Sequence, residues 1–180
     1  YTETGNLTVR RTVPDLEYMC ENEHRLWGCD GRTIYASKLG DPFNWNVFEG
    51  LETDSYAVDT GSAGDFTGCV SFLGYPVFFK EDHIYKVYGS IPSNFEVMGS
   101  ATLGVAKGCG GSLAIAGERL LYLSTSGVMI YSGGIPQSLH DAFGMTRLRN
   151  GRAGSDGLKY YLSAQDESGT WKLCVYYTRK

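Results

Sequence analysis

The sequence predicts an all-β fold, a β-propeller-like array of about four antiparallel blades with a period of ~45 residues, forming part of a larger ring. Three observations predict it. Gly 24 and Tyr 13 among 180 residues point to short strands joined by tight turns, because aromatic and β-branched side chains suit a pleated surface and glycine suits turns of positive φ. No stretch sustains a 3.6-residue apolar stripe, and the one candidate for a helical turn, Gln137 to Met145, is interrupted by Gly144. Finally, four hairpins recur at near-constant spacing.

The first unit opens with a strand at Leu16 to Cys20, then Leu26 to Cys29, the pair Asp30-Gly31, and Thr33 to Ser37. Asp-Gly between two such runs is a strong hairpin signal, with both turn residues expected to accept positive φ. The second unit reads Cys69 to Leu73, Val77 to Phe79, a polar turn from Lys80 to His83, and Ile84 to Tyr88. The third reads Ser112 to Ala116, Arg119 to Ser124, a turn at Thr125-Ser126-Gly127, and Val128 to Tyr131. The fourth reads Arg152 to Ser155, Lys159 to Ser163, a turn through Asp166 to Gly169, and Trp171 to Tyr177. Aligned on the second hairpin strand, Ile34, Ile84, Val128 and Leu173 fall at matching places, 50, 44 and 45 residues apart. Blade-like units are therefore expected at about 16–45, 54–91, 95–135 and 137–180, within one domain spanning 1–180. One such sheet cannot bury both faces alone, so blades pack side by side. An evenly spaced antiparallel sandwich is the alternative architecture.

Composition excludes several classes. Lys+Arg 16 against Asp+Glu 20 gives a net charge of −4, which argues against a general nucleic-acid binder. No apolar run approaches the ~18 residues of a membrane helix, and no secretory pattern opens the sequence. The cysteines Cys20, Cys29, Cys69, Cys109 and Cys174 show no CxxC spacing, so free thiols are expected, with a Cys20–Cys29 bridge as the one alternative. His24, His83 and His140 form no metal-binding pair, and no metal or cofactor is expected. Gly108 to Ser112 follows Lys107 and precedes a strand rather than a helix, so it reads as an interblade connection and not a phosphate loop. Gly61 to Asp65 reads as a flexible loop.

Catalytic patterns are sparse. No GxSxG elbow is present. Glu81-Asp82 and Asp166-Glu167 both fall in turns at equivalent repeat positions, which suits a structural role. The segment Ser163 to Trp171 resembles the aspartate-box turn of sialidase-type propellers, with altered spacing on both sides of Asp166. That box is a structural turn, and no spacing singles out the arginine cluster such an enzyme needs. The expectation is a non-enzymatic protein, sialidase-like activity being the weaker alternative.

The phrase Ile34-Tyr35-Ala36-Ser37-Lys38-Leu39-Gly40-Asp41-Pro42-Phe43-Asn44-Trp45, after Arg25-Leu26-Trp27, resembles a recurring phrase of propeller-bearing structural proteins of tailed bacteriophages and prophages, of the tail hub or nozzle type. Asp54 to Asp59 looks like the start of the next blade in that family, and Val175 to Lys180 looks like a blade end that normally runs on, so a segment of a longer chain is expected. The resemblance implies a virion scaffold made in the bacterial cytoplasm, symmetric in the particle and contacting portal, tail or adaptor subunits. Asp41, Asn44, Trp45, Phe48 and Tyr56 are the expected interface residues. The alternative is a receptor-recognising, carbohydrate-binding or carbohydrate-cleaving propeller, with Asp41, Asn44, Trp45 and Asn46 as its cluster.

Overall fold

The computed structural model describes residues 13–139 and 147–178. It is an all-β chain whose four antiparallel sheets are arranged as the blades of a β-propeller. Blade 1 holds β1 (Tyr18–Asn22), β2 (Arg25–Asp30), β3 (Thr33–Ala36) and β4 (Tyr56–Asp59). Blade 2 holds β5 (Gly68–Phe72), β6 (Tyr75–Phe79), β7 (His83–Tyr88) and β8 (Glu96–Ala101). Blade 3 holds β9 (Ala114–Ala116), β10 (Arg119–Ser124), β11 (Gly127–Tyr131) and β12 (Gln137–Ser138). Blade 4 holds β13 (Arg149–Ser155), β14 (Lys159–Gln165) and β15 (Trp171–Tyr177). Each sheet is a meander in chain order.

Burial follows position in the array. In blade 3 nearly every residue of β10 and β11 is buried, on both faces, because blades 2 and 4 cover it from either side. The sequence there reads as continuous apolar runs, as a sheet covered on both faces requires. In blade 4, β14 alternates instead: Tyr160, Leu162 and Ala164 are fully buried while their neighbours are not. Such alternation marks a sheet packed on one face only.

Aromatic side chains fill the seams. Trp27 of blade 1 meets Phe95 edge-on at 5.1 Å and Phe78 at 6.4 Å. Phe79 of blade 2 meets Tyr122 of blade 3 at 5.2 Å. Tyr160 of blade 4 donates its hydroxyl to the Ser112 carbonyl at 2.8 Å. Each fully buried phenylalanine contributes about 2–3 kcal/mol of transfer free energy.

The hairpins fall where the repeat alignment puts them, but three details differ. The first turn consists of Gly31-Arg32, since Asp30 still pairs with Thr33. Only Gly31 has positive φ, at 52°, so the loop needs glycine at its first position alone. The outer strands β4, β8 and β12 each pair with the preceding hairpin. The units thus divide after Asp59, Ala101 and Ser138, and not at the boundaries expected from the period; residues 54–59 close blade 1 and do not open blade 2. Lastly, Gln137–Ser138 is a strand and not part of a helical turn, and residues 140–146 of that expectation, with His140, lie outside the described residues.

All five cysteines are free thiols, so the Cys20–Cys29 bridge does not form. Cys20 and Cys29 share one face of β1 and β2, two residues out of direct register, Cys20 pairing with Trp27 and Cys29 with Tyr18.

Candidate functional site

The long excursion between β3 and β4, residues 37–55, contains most of the sequence-predicted site. It is built around two charged side chains. Arg25, buried at 2% exposure, sends its guanidinium from β2 into the loop base. There it donates to the carbonyls of Ser37 at 2.9 Å, Glu52 at 2.7 Å and Asp54. A planar fork with five donors suits such divergent carbonyls; an ammonium does not. Asp54 is buried too, and its Oδ2 accepts the backbone N–H groups of Glu49, Gly50 and Leu51 at 2.5, 2.7 and 3.1 Å. Burial opposes the charged form, but these three donors and nearby Lys38 outweigh it and hold the carboxyl below its ordinary range. Ser55 completes the frame, donating to the Asn44 carbonyl at 3.1 Å and accepting from the Val47 N–H.

The predicted residues divide in this frame. Asp41 accepts the Phe43 N–H at 3.2 Å, a local turn bond. Asn44 and Trp45 are 5% and 2% exposed, and the Trp45 indole N–H donates to the Pro42 carbonyl at 2.8 Å. Phe48 is 64% exposed. Tyr56 leaves the loop and packs between Trp27 and Phe95, the latter 5.1 Å away, in the seam with blade 2. The loop therefore gathers Asp41, Asn44, Trp45 and Phe48, but Trp45 and Asn44 face inward. The apolar side chains it offers to water are Leu39, Phe43, Phe48 and Leu51. Phe43, at 78% exposure, was not singled out in the sequence.

A second feature is a cleft of about 650 Å³ between blades 1 and 2, lined by Glu17, Asp65, Glu81, Asp82, Lys80 and Lys107, among others. Its polar groups are largely engaged. Glu81 accepts the Lys107 N–H at 2.9 Å, and Asp82 faces His83 at 2.9 Å. Lys80 is buried at 1% exposure. Its ammonium donates to Ser62 Oγ at 2.7 Å and to the Ser62 carbonyl at 3.0 Å, and sits 4.9 Å from the Phe66 ring centre. Desolvation, with Arg32 nearby, lowers its pKa against the pull of the surrounding carboxylates. Lys80 thereby ties down the 61–65 loop expected to be flexible. Among the described residues, no group of three His, Cys, Asp or Glu is arranged to hold a metal ion.

At the hub, the short 3₁₀ turn Gly110–Ser112 lies between blades 1 and 4, within the connection predicted at 108–112. A Cβ on Gly110 would stand 2.6 Å from the Thr67 carbonyl oxygen and against the Tyr18 ring; one on Gly111 would stand 2.5 Å from Arg152 Cδ. Arg152 donates to the Gly108 carbonyl at 2.7 Å. Nearby, the Cys69 thiol hydrogen-bonds those of Cys20 and Cys29, which with burial drives its pKa up. Such thiols are poor nucleophiles.

Asp166 organises the turn that resembles an aspartate box. Its Oδ1 accepts the N–H groups of Ser168 and Thr170 at 2.9 and 3.0 Å, and Lys172 lies 3.0 Å from Oδ2. The Ser168 hydroxyl and Lys172 foremost hold its pKa down at about 2. Among the described residues, no helix is long and apolar enough to cross a membrane. No family model and no curated protein sequence matches the chain.

Proposed function

We propose that this chain is a structural protein of a tailed-phage or prophage particle, a propeller scaffold of the tail hub or head–tail region that works by protein–protein assembly. The observation that carries the reading is the 37–55 loop. It holds Leu39, Phe43, Phe48 and Leu51 out to water at 40, 78, 64 and 53% exposure on a frame already bonded by Arg25 and Asp54. A preformed frame loses little conformational entropy on docking, and a few buried aromatic anchors dominate the energy of an interface. Burying Phe43 and Phe48 in a partner would contribute about 2–3 kcal/mol each.

The phage assignment rests on the resemblance of the Ile34 to Trp45 phrase, whose structural logic is physical. Gly40 sits at φ 70°, Asp41 caps the turn, and Trp45 fills the loop interior. The partners would be portal, tail or adaptor subunits. The test is mass spectrometry of density-purified particles induced from cells carrying this chain, with the tryptic peptide Leu26 to Arg32 as marker. The peptide should copurify at a fixed ratio to the portal protein. Particles without it overturn the assignment.

A further inference from the structure

We infer that Cys20 of blade 1 and Cys69 of blade 2 are an oxidisable pair, which a small-molecule disulfide converts into one covalent bond across the seam between the two blades. The inference stands on the register of two strands and is independent of the particle assignment.

The first strands of the two blades, β1 and β5, run side by side, and two contacts fix their register. Asn22 donates its side-chain amide to the Ser71 hydroxyl at 2.9 Å, from 49 residues away in the chain. Tyr18 and Thr67, the same distance apart in sequence, flank one glycine: a Cβ on Gly110 would stand 2.6 Å from the Thr67 carbonyl oxygen and against the Tyr18 ring. The two strands therefore run parallel at a constant offset, and the pair midway between these contacts is Cys20 and Cys69. Side chains two residues apart on a strand share a face, so both thiols enter the seam with Asn22 and Ser71. Both are half-buried and pack against the apolar cluster of Trp27, Cys29 and Phe78. The Cys69 thiol lies within hydrogen-bond reach of those of Cys20 and Cys29.

The geometry favours one bond among the three thiols. Cys20 and Cys29 stand diagonally across the ladder of β1 and β2, two residues out of register. Such positions are about 7–8 Å apart, beyond the ~4.4–6.8 Å between Cα atoms that a disulfide spans. Cys29 is fully buried and lies on β2, one strand farther from β5. Cys20 and Cys69 face each other with no strand between them. Cys109 and Cys174 belong to the other core cluster.

The reaction is thiol–disulfide exchange with a low-molecular-weight disulfide such as oxidised glutathione. The Cys20 thiolate attacks one glutathione sulfur, forming a mixed disulfide and releasing one glutathione thiolate. Cys69, once deprotonated, attacks the Cys20 sulfur of that mixed disulfide, and the second glutathione thiolate leaves. The two protein thiols give up two electrons and two protons, and one oxidised glutathione becomes two reduced ones. Burial and its two thiol neighbours keep Cys69 protonated, so the second attack is slow and quickens as pH rises. The thiols stay free in a reducing medium, and the bond forms in an oxidising one.

The experiment incubates the native 180-residue chain with oxidised glutathione, quenches with acid, alkylates the remaining thiols in denaturant and maps tryptic peptides without reductant. Trypsin places the three thiols in separate peptides, 12–25, 26–32 and 39–80. Peptide 12–25 joined to 39–80 is expected in at least ~10-fold excess over single glutathione adducts, at a rate independent of protein concentration, because the second thiol is already in place. The oxidised chain should unfold at a urea midpoint at least ~0.5 M higher, and dithiothreitol should reverse the shift. Cys29→Ser should leave the cross-link intact and Cys20→Ser should abolish it, with circular dichroism as the control for folding. Glutathione adducts without the cross-link overturn the inference. So does a cross-link that uses 26–32, a yield that depends on protein concentration, or a native chain left fully reduced where the denatured chain is oxidised.

Discussion

The buried guanidinium of Arg25 donates to the main-chain carbonyl of Asp54, whose own carboxylate collects three backbone N–H groups from residues 49–51. The two side chains hold the base and the tip of one loop, and that loop carries the exposed phenylalanines. Stiffness and presentation are therefore coupled through this pair.

Replacing Arg25 by methionine keeps most of the volume and strips the donors from the Ser37, Glu52 and Asp54 carbonyls. Unpaired buried carbonyls cost roughly 1–3 kcal/mol each, with partial relief from water, so a loss of about 3 kcal/mol is expected in urea unfolding. Arg25→Lys should recover less than half of it, because one ammonium cannot reach three divergent acceptors. A loss below ~0.5 kcal/mol would show that the loop does not depend on this side chain.

The Asp166 turn should respond to acid. Its folded pKa, about 2, lies below the ordinary aspartate value of about 3.9. The stabilisation is thus fully present above pH ~4 and is lost as pH falls from there through about 2. Asp166→Asn should lower stability at neutral pH and make the acid limb of the unfolding profile shallower. Carboxyl titration by NMR gives the pKa directly, and an Asp166 value near 4 would contradict the turn geometry.

Glycine substitutions separate crowding from backbone conformation. Gly110→Ala drives a methyl into the Thr67 carbonyl and the Tyr18 ring, and should cost about 2–3 kcal/mol or prevent folding. Gly50→Ala meets no atom within 4 Å but keeps φ at 85°, so about 1 kcal/mol is expected. At Gly154 neither constraint applies, and alanine should lie within ~0.5 kcal/mol of the original. Thermal unfolding of the three variants checks the order.

The buried thiols should resist alkylation. Cys29 and Cys109 are 0% and 1% exposed, and Cys69 has its pKa raised by its two thiol neighbours and burial. Timed iodoacetamide labelling with peptide mapping should find Cys29 and Cys109 modified only at the rate of unfolding, and the half-buried Cys69 modified more slowly than a free thiol. Rapid labelling of the fully buried Cys29 in the folded protein would mean that the seam between blades 1 and 2 opens.

What could be read in the sequence was what local chemistry determines. The hairpins were legible because turn residues such as Thr125-Ser126-Gly127 separate strand-forming runs, and these repeat. The outer strands were not: β4, β8 and β12 carry YAVD, EVMGSA and QS, weakly apolar text that is a strand only because a hairpin edge lies beside it. The loop was found through its phrase, but whether Trp45 faces in and Phe43 faces out depends on a frame built by Arg25, whose acceptors lie 12, 27 and 29 residues away.

The most direct test of the assembly account is incorporation into particles of the Phe43→Ser/Phe48→Ser chain, supplied beside the original and quantified against the portal protein. Both side chains are more than 60% exposed, so the variant should unfold within ~0.5 kcal/mol of the original. The account predicts at least a ~10-fold depletion of the variant from particles that incorporate the original chain. Equal incorporation of the two chains would contradict it.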